Sequence, residues 1–499
     1  MNVNDSNTSP EISDLHVGIV GGGVAGSTVA LRLSELGINV TLFEEGASLV
    51  NGPPICHLHA GGNLYREISD EQCLTLLHQS IETLRVYPHT ANIRPTVIAV
   101  PERDPGDPEK LLDRLELLQT AYNELIIHDK RNEVLGHPDD YFKQYQQDEL
   151  VKLATQTVPT NPQSLDDWMI PVAKNLNLNE FKYPVVIVQE YGLSIFRIAA
   201  TASLALQQLS SCTVKTGTKV TDIQKSCSKK GWVVSHQSYD DSIDDYVTQE
   251  TTVDYLVNAC GYRTGTLDDL ATFKRHRMVE FKAAYVTHWP ACEGVWPEVI
   301  FHGERGTPNG MAQLTPYPDG FFQLHGMTEE ITLFKQGLVS STTRSAQPQL
   351  ERSFIRKLTT GWTTDEVESR TQRAIKHMAQ FVPSFGEAQV GGHPLFGAQQ
   401  IPGLDPSLRA ADVSFAGKRY ARSEIVKASS ALSVADSIVK QLYDEQLIST
   451  TQLNWDCPLE ERFPVTHSLG LDEVISKAEQ LAKLRGYPAA LARPTNIES

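Results

Sequence analysis

The chain of 499 residues is too long for a single hydrophobic core, so we expect two or more packed units. Its hydrophobic share of 40% and charged share of 21% are typical of a folded globular protein. The formal net charge of −17 argues against a nucleic-acid partner, because phosphate backbones require a basic protein surface.

The sequence carries no targeting or membrane-spanning signal. Its polar, acidic start, "MNVNDSNTSPEISD", lacks the pattern of a signal peptide, and no run approaches the roughly 20 apolar residues of a membrane span. The seven cysteines are scattered and none forms a CxxC pair, which predicts reduced thiols and no metal site. We therefore expect a cytoplasmic protein, and the sequence leaves open a peripheral contact with the inner face of a membrane.

A glycine-rich turn lies between the first predicted strand, "LHVGIV", and the first predicted helix, "VAGSTVALRLSELG". Gly21, Gly23 and Gly26 form a G-x-G-x-x-G motif there. In such motifs the first glycine permits a tight turn, the second lets a pyrophosphate approach the backbone, and the third lets the helix pack closely on the strand. Free N–H groups and the helix dipole then bind the pyrophosphate. The motif predicts a bound dinucleotide.

A carboxylate ends the second predicted strand. Glu44 follows Gly26 by eighteen residues, and at this position it can accept hydrogen bonds from both ribose hydroxyls of a dinucleotide. The same charge repels a 2′-phosphate, so NADP is not expected. These two features leave NAD and FAD open.

The remaining elements mix helices and strands along the chain. The first half of the chain is predicted to contain helices over 68–86 and 109–127 and a strand over 96–101. The segment "PVVIVQEYGLSIFRIAATASLALQQL" is predicted as a strand, a turn at Gly192 and a long helix, and residues 213–259 as a β-meander with an acidic hairpin or loop in its middle. Several strands are predicted within 277–335, a helix over 423–443 after the strand "VSFAG", and an amphipathic helix near 471–484.

Two later segments bear on the kind of dinucleotide. They are "TTVDYLVNACGYRTGTL", a strand ending at 259–261, and "DVSFAGKRYARSEIVKASSALSVADSIV", a strand followed by a helix. Together with the glycine turn, "TKVTDI" and "QEYGLSIFRIAATASLALQ", they resemble the D-amino-acid-oxidase-like superfamily of FAD-dependent oxidoreductases. The resemblance covers most of residues 15–445 in the order of elements, and it is looser to two of its members, L-2-hydroxyglutarate dehydrogenase and malate:quinone oxidoreductase.

The resemblance implies FAD as the cofactor and suggests which residues contact it. They are Gly21, Gly23, Val24, Ala25, Gly26 and Glu44 around the ADP half, Val220 at the adenine, Gly261 at the pyrophosphate, and Gly417 and Ser423 in the last motif, where a helix starting near Ser423 would aim N–H groups at the flavin. Relatives are usually rich in glycine before that helix. Here "GKRYARSEIVKA" has one glycine and several basic residues, which could add positive charge at the flavin, although for any single one we favour a salt-bridged or exposed role.

The loop "ICHLHAGGNLY" is the most informative stretch for catalysis, because hydroxyacid-oxidising relatives often carry a His-Ala-Gly run here, against the flavin. We favour His59 as a general base near flavin N5, and Gly61 and Gly62 allow close approach of the backbone to the ring. Covalent attachment of the flavin to a histidine or to Cys56 is an alternative. So is a purely structural loop.

Arginines supply the candidates for binding a substrate carboxylate, since the guanidinium fork matches that group. Arg66 follows the histidine loop, and Arg263, Arg277 and Arg305 compete with it for this role. Two further histidines of the predicted second domain, His302 and His325, are candidates to face the flavin from the substrate side.

The resemblance implies an α/β fold in which a discontinuous Rossmann-like domain is interwoven with a second α+β domain on a mixed or antiparallel sheet. We assign residues 12–90, 190–270 and 385–445 to FAD binding, 91–189 and 271–384 to the substrate domain, and 446–499 to a helical tail.

The expected activity is that of an FAD-dependent dehydrogenase or oxidase. Hydride would pass from a small carboxylate-bearing substrate to flavin N5, with a 2-hydroxy acid favoured over an amino acid and quinone or oxygen as the acceptor. An FAD monooxygenase or halogenase is an alternative, although the usual Gly-Asp before the last helix is missing. A flavoprotein that uses FAD only as a structural element is another.

Overall fold

A computed structural model describes residues 13–52, 68–227, 231–411 and 413–495. The strands are β1 Ser13–Val20, β2 Ile38–Phe43, β3 Ala91–Asn92, β4 Thr96–Pro101, β5 Phe142–Tyr145, β6 Phe181–Val188, β7 Gly192–Leu193, β8 Cys212–Lys215, β9 Thr218–Lys225, β10 Trp232–Asp240, β11 Asp245–Val253, β12 Tyr255–Asn258, β13 Arg277–His288, β14 Glu298–Phe301, β15 Ala312–Pro316, β16 Phe321–Gly326, β17 Leu338–Ser340, β18 Gln389–Val390, β19 Leu395–Pro402, β20 Val413–Phe415 and β21 Tyr420–Ser423.

The helices are α1 Val24–Glu35, α2 Asp70–Val86, α3 Lys110–His128, α4 Gln147–Leu153, α5 Leu165–Asn175, α6 Ile195–Gln208, α7 Thr264–Leu270, α8 Arg352–Thr359, α9 Thr364–Met378, α10 Ala431–Asp444, α11 Leu459–Arg462, α12 Pro464–Ser468 and α13 Leu471–Leu484.

The first sheet has six strands in the order β20-β21-β12-β1-β2-β8. All neighbours are parallel except the antiparallel edge pair β20–β21. One face packs against α1, α6 and α10, and the other lies under the antiparallel meander β9–β10–β11. Cover on both faces explains why the central strands carry buried apolar runs such as residues 17–20. Because the strands are parallel, their carboxyl ends meet at one edge of the sheet.

The second sheet has ten strands and is mixed. Its order is β17-β13-β16-β15-β14-β4-β6-β5, with β18 and β19 also paired to β13. β4 and β14 are parallel, whereas the other neighbouring strands of this sheet are antiparallel. One face is apolar and packs against α5 and α9. The opposite face carries buried polar side chains, among them Gln313, Gln323 and His325.

Most of the predicted elements are present. The predicted helices 68–86 and 109–127 correspond to α2 and α3, the latter shifted by one residue, and the acidic middle of the meander is the hairpin of β10 and β11. The helix predicted over 423–443 is wrong at its start. Residues 420–423 form β21, a short 3₁₀ turn covers Ala428–Ser430, and α10 begins only at Ala431.

The predicted division into domains stays a prediction. Strands β18 and β19, between residues 389 and 402, belong to the larger sheet although they lie in the third segment that we assigned to cofactor binding. The amphipathic stretch near 471–484 is the helix α13, which packs on α6. None of the helices within the described ranges is long and apolar enough to cross a membrane.

Candidate dinucleotide site

The three glycines of the turn have three different environments. Gly21 has φ +100°, and a Cβ there would lie 2.4 Å from the carbonyl oxygen of Ala259. A Cβ on Gly26 would lie 1.9 Å from the carbonyl oxygen of Gly21, so helix α1 could not pack on the strand with any larger residue. A Cβ on Gly23 would meet no atom within 4 Å in the described structure. The turn is therefore closely packed at Gly21 and Gly26, whereas the space next to Gly23 is open in the described structure.

The open side faces the start of a helix. Gly23 is the N-cap of α1, no side chain caps the helix there, and its first turn carries no acidic residue. Val24, Ala25 and Gly26 form that first turn. Backbone N–H groups and the dipole at such a helix start favour an anion, and a pyrophosphate matches this environment.

Glu44 lies beside the turn, directly after β2. Its Oε2 accepts a hydrogen bond from the backbone N–H of Gly22 at 2.7 Å, and its Oε1 accepts one from Gly46 at 2.7 Å. Two backbone donors thus fix the carboxylate at the edge of the sheet. A carboxylate has about four lone-pair positions, so Glu44 retains acceptor capacity for ribose hydroxyls.

Two other predicted contacts meet at the same edge. The N–H of Thr218 donates to the carbonyl oxygen of Glu44 at 2.8 Å, which places the start of β9, with Val220 two residues later, beside the end of β2. Gly261 follows β12 with φ +57°, and a Cβ on it would meet no described atom within 4 Å. The structure therefore brings together the glycine turn, Glu44, Val220 and Gly261.

The last motif is only partly at this edge. Ser423 ends the parallel strand β21, so it lies at the carboxyl edge, and its buried Oγ has no hydrogen-bond partner within the described residues. It does not begin a helix, which corrects the expectation that N–H groups of a helix starting there face the flavin. Gly417 lies in the turn before β21, at the opposite edge, against the ring of Phe273. The structure does not bring Gly417 to the glycine turn.

The histidine loop cannot be compared with its predicted role. The residues concerned are Cys56, His57, His59, Gly61, Gly62 and Arg66, and all of them lie outside the described residues.

The two remaining candidate histidines belong to the larger sheet. His325, on β16, pairs in register with Gln313 of β15, and its Nδ1 lies 3.4 Å from Nε2 of Gln323. It alternates along the strand with Leu324, a member of the apolar face, so His325 is on the polar face. His302 directly follows β14, and its N–H donates to the carbonyl oxygen of Ala99 at 3.0 Å. Both histidines are buried.

Two of the described candidate arginines are committed to carboxylates elsewhere. Arg277 is fully buried and donates from Nη2 to Asp268 at 2.6 Å, with Glu424 at 3.4 Å. Arg263 pairs with Glu45 on the outside of the dinucleotide edge. Charge neutralisation accounts for both, and neither is the best candidate for a substrate clamp.

Arg305 has a different environment. It pairs with Glu280, which also pairs with Lys282 at 2.7 Å. Burial lowers the pKa of Lys282, and the nearby Glu280 opposes that shift. Burial alone would raise the pKa of Glu280, but Lys282 and Arg305 hold it below its ordinary value. One carboxylate shared between two cations leaves a net positive charge at this point.

This cationic cluster contacts the segment that follows β21. Lys282 Nζ donates to Oε1 of Gln399 at 3.1 Å, and Nε2 of Gln399 donates to the carbonyl oxygen of Val426 at 2.7 Å. The next residue of β19, Gln400, donates to the carbonyl oxygen of Ser423 at 3.0 Å. The larger sheet is thereby joined to the carboxyl edge of the first sheet.

Sequence reasoning missed a buried ion network in the last motif. Asp268 is fully buried and accepts from Nε of Arg422 at 2.6 Å, from Arg277, and from the Tyr420 hydroxyl at 3.0 Å. Arg422 is therefore salt-bridged, as expected for the basic residues of this motif. Nothing in the local sequence marks Asp268 as its partner.

The sheet order and the glycine turn define a Rossmann-type dinucleotide-binding fold with a second, mixed-sheet unit. Residues 19–50 match the family model of an NAD(P)-binding Rossmann-like domain. No curated protein sequence matches the chain.

Solved structures share the architecture over most of the chain. Glycine oxidase from Geobacillus kaustophilus is 14% identical with a TM-score of 0.51, over 87% of this chain and 95% of that one. The glycerol-3-phosphate dehydrogenase from Bacillus halodurans complexed with FAD is 12% identical with a TM-score of 0.55, over 96% and 74%. L-alpha-glycerophosphate oxidase from Mycoplasma pneumoniae with FAD bound is 16% identical with a TM-score of 0.52, over 86% and 94%. The likeness confirms the predicted fold.

Proposed function

We propose that this protein is an FAD-dependent oxidoreductase acting on a small substrate that carries a carboxylate. The observation that carries the proposal is the open space in front of Gly23, at an uncapped helix start, beside a fixed carboxylate, Glu44. These features suit the pyrophosphate and the ribose of one dinucleotide. Two of the similar structures are described with FAD, which favours FAD over NAD.

The residues of this chain would act on the cofactor in distinct ways. Backbone N–H groups of Val24 and Ala25 would bind the pyrophosphate, and Glu44 would accept hydrogen bonds from the ribose hydroxyls. FAD, when bound there, would supply the hydride acceptor for the reaction. The edge near Ser423 and Gln400 lies on the side where the two sheets meet, and its residues would border the substrate and the cofactor.

We assign the substrate carboxylate to the cluster of Arg305, Lys282 and Glu280. The side chain of Arg305 is 42% exposed, and Glu280, the carboxylate with which it pairs, also pairs with Lys282. A guanidinium in this state can still bind a second carboxylate through its remaining donors. A 2-hydroxy acid remains favoured over an amino acid, with His59 as base and His325 and His302 as alternatives. Quinone, reached by a peripheral membrane contact, and oxygen both remain candidate acceptors.

The test is anaerobic bleaching of the bound flavin with a panel of 2-hydroxy acids and amino acids. We expect one 2-hydroxy acid to reduce the flavin, and Arg305→Gln to raise the KM for it about tenfold or more without loss of FAD, since a charged hydrogen bond contributes about 1.5–3 kcal/mol. Arg275→Gln is the matched control, because Arg275 is 40% exposed and pairs with Glu424 instead.

Three results would contradict parts of this proposal. Reduction of the flavin by an amino acid and by no 2-hydroxy acid would contradict the proposal that the substrate is a 2-hydroxy acid. An unchanged KM in Arg305→Gln would contradict the assignment of Arg305 to the substrate carboxylate. A flavin that no acid reduces but NAD(P)H does would favour the monooxygenase alternative.

A further inference from the structure

The C-terminal tail reaches the loop that borders the glycine turn. Arg485 directly follows α13, and its guanidinium donates three hydrogen bonds to residues 48–50: to the carbonyl oxygen of Val50 at 2.9 Å, to that of Leu49 at 2.7 Å, and to the Ser48 hydroxyl at 3.0 Å. Arg485 and Val50 are 435 residues apart in the sequence. One side chain of the tail therefore holds three consecutive residues near the start of the chain.

The contacted loop lies directly on the dinucleotide turn. The N–H of Val50 donates to the carbonyl oxygen of Gly22 at 2.8 Å, while the N–H of Gly22 donates to Glu44. A Cβ on Gly22 would lie 2.7 Å from a methyl group of Leu49. Any movement of residues 48–50 would therefore displace the glycine turn and change its hydrogen bond to Glu44.

The backbone of the loop is strained at Val50. This residue has φ +55° and is fully buried. A left-handed conformation is a genuine outlier for a β-branched residue, and such strain persists only where surrounding contacts impose it. Gly22 holds the N–H of Val50, and Arg485 holds its carbonyl oxygen. Arg485 thus helps to fix the strained residue together with Gly22.

The charge of Arg485 is not neutralised by an ion pair in the described chain. Its guanidinium lies 5.7 Å from the centre of the Phe196 ring, and its Nε has no partner within the described residues. Burial lowers the pKa of Arg485 to about 10, so it stays protonated at neutral pH. The Glu44 carboxylate attracts Arg485 electrostatically without forming a direct ion pair, so it offsets part of this charge at the edge where a pyrophosphate is proposed to bind.

The tail is anchored independently of this contact. Its helix α13 buries Val474, Ala478 and Leu481 against the core. Beyond it, the Tyr487 hydroxyl donates to the carbonyl oxygen of Pro394 at 2.9 Å, and Arg493 pairs with acidic residues of the larger sheet unit and of α13. The position of Arg485 is therefore set by the fold of the tail.

We propose that Arg485 is a positioning residue for the cofactor: the C-terminal tail holds residues 48–50 in their strained conformation and so raises the affinity of the glycine turn for FAD. The inference rests on the proposed FAD site. It assigns to the tail a role in cofactor binding.

The test measures FAD affinity of the full-length apoprotein by flavin fluorescence. We expect Arg485→Gln to weaken FAD binding about tenfold or more. The substitution would leave the strained backbone of Val50 without its support, and the cost of such strain corresponds to a change of that size. Arg485→Lys should give a smaller loss, because an ammonium keeps the charge but cannot match the fork of contacts. The matched control is Arg493→Gln, which removes another tail arginine that does not contact the loop, and its affinity should change less than twofold.

A second measurement separates positioning from general damage to the tail. Glycine adopts φ +55° without strain, so in a Val50→Gly background Arg485→Gln should weaken FAD binding by less than about threefold. Amide exchange of residues 48–50 in the apoprotein should also speed up in Arg485→Gln and not in Arg493→Gln.

Equal FAD affinity of Arg485→Gln and the parent would overturn this inference and leave the proposed function intact. An equal loss in Arg493→Gln would also overturn it. A parent apoprotein that takes up no FAD would overturn the proposed function itself.

Discussion

Replacing Gly23 by alanine separates the effect of a bound pyrophosphate from the effect on folding. A Cβ there meets no described atom within 4 Å, and the backbone, at φ −67° and ψ −174°, is allowed for any residue. The free energy of unfolding of the apoprotein should therefore change by no more than about 1 kcal/mol, the cost of alanine at an N-cap. If a pyrophosphate lies over this position, the methyl group displaces it from the helix start. Losing one or two charged hydrogen bonds at about 1.5–3 kcal/mol each lowers FAD affinity by about tenfold to a thousandfold or more.

Gly26→Ala is the matched comparison with the opposite expectation. Its Cβ would lie 1.9 Å from the carbonyl oxygen of Gly21 and 3.2 Å from Cβ of Ala259. Backbone atoms must move to accept it, so the apoprotein should lose about 3 kcal/mol of stability, the upper range for overpacking.

Denaturant unfolding of both apoproteins and fluorescence titration with FAD measure the two quantities. Parental FAD affinity in Gly23→Ala would refute the reasoning, because the open space in front of the turn would then not be where the cofactor binds. Parental stability in Gly26→Ala would show that the close contact of α1 with the turn is not as tight as described.

Three further predictions follow from the same contacts. Glu44→Arg should lower FAD affinity by about 2–4 kcal/mol, because a donor replaces a ribose acceptor; equal affinity in a titration would show that Glu44 does not bind the ribose. Arg277→Gln should lower the free energy of unfolding by about 1.5–3 kcal/mol, since it removes one charged hydrogen bond to buried Asp268, which keeps Arg422 and Tyr420 as partners; a change below about 1 kcal/mol in denaturant unfolding would contradict that. If His59 is the base, His59→Ala should slow flavin reduction by about 10²–10⁴-fold with FAD content unchanged, and His57→Ala much less; stopped-flow reduction at the parental rate in His59→Ala would remove His59 from the mechanism.

The turn was predictable because its determinants are local. The roles of Gly21 and Gly26 follow from backbone sterics within a few residues, and both appear in the structure as the spacing predicts. Glu44 was equally accessible, since it ends a strand whose apolar run is visible in the sequence.

The last motif was not predictable in the same way. Residues 420–423, "YARS", are all buried in a parallel strand, yet they show no apolar run. Arg422 can be buried there because Asp268, 154 residues earlier, neutralises it. Without knowledge of that partner the sequence does not predict this strand, and the following helix is predicted to start too early, at Ser423. The contact between Arg485 and Val50 was hidden for the same reason, because it joins the two ends of the chain.

The most direct test of the central claim is the visible absorption spectrum of the purified protein, with identification of the dinucleotide released on denaturation. We expect a yellow protein that releases FAD and not FMN, because the glycine turn and Glu44 suit an ADP half. A correctly folded, colourless protein that takes up no added FAD would contradict it.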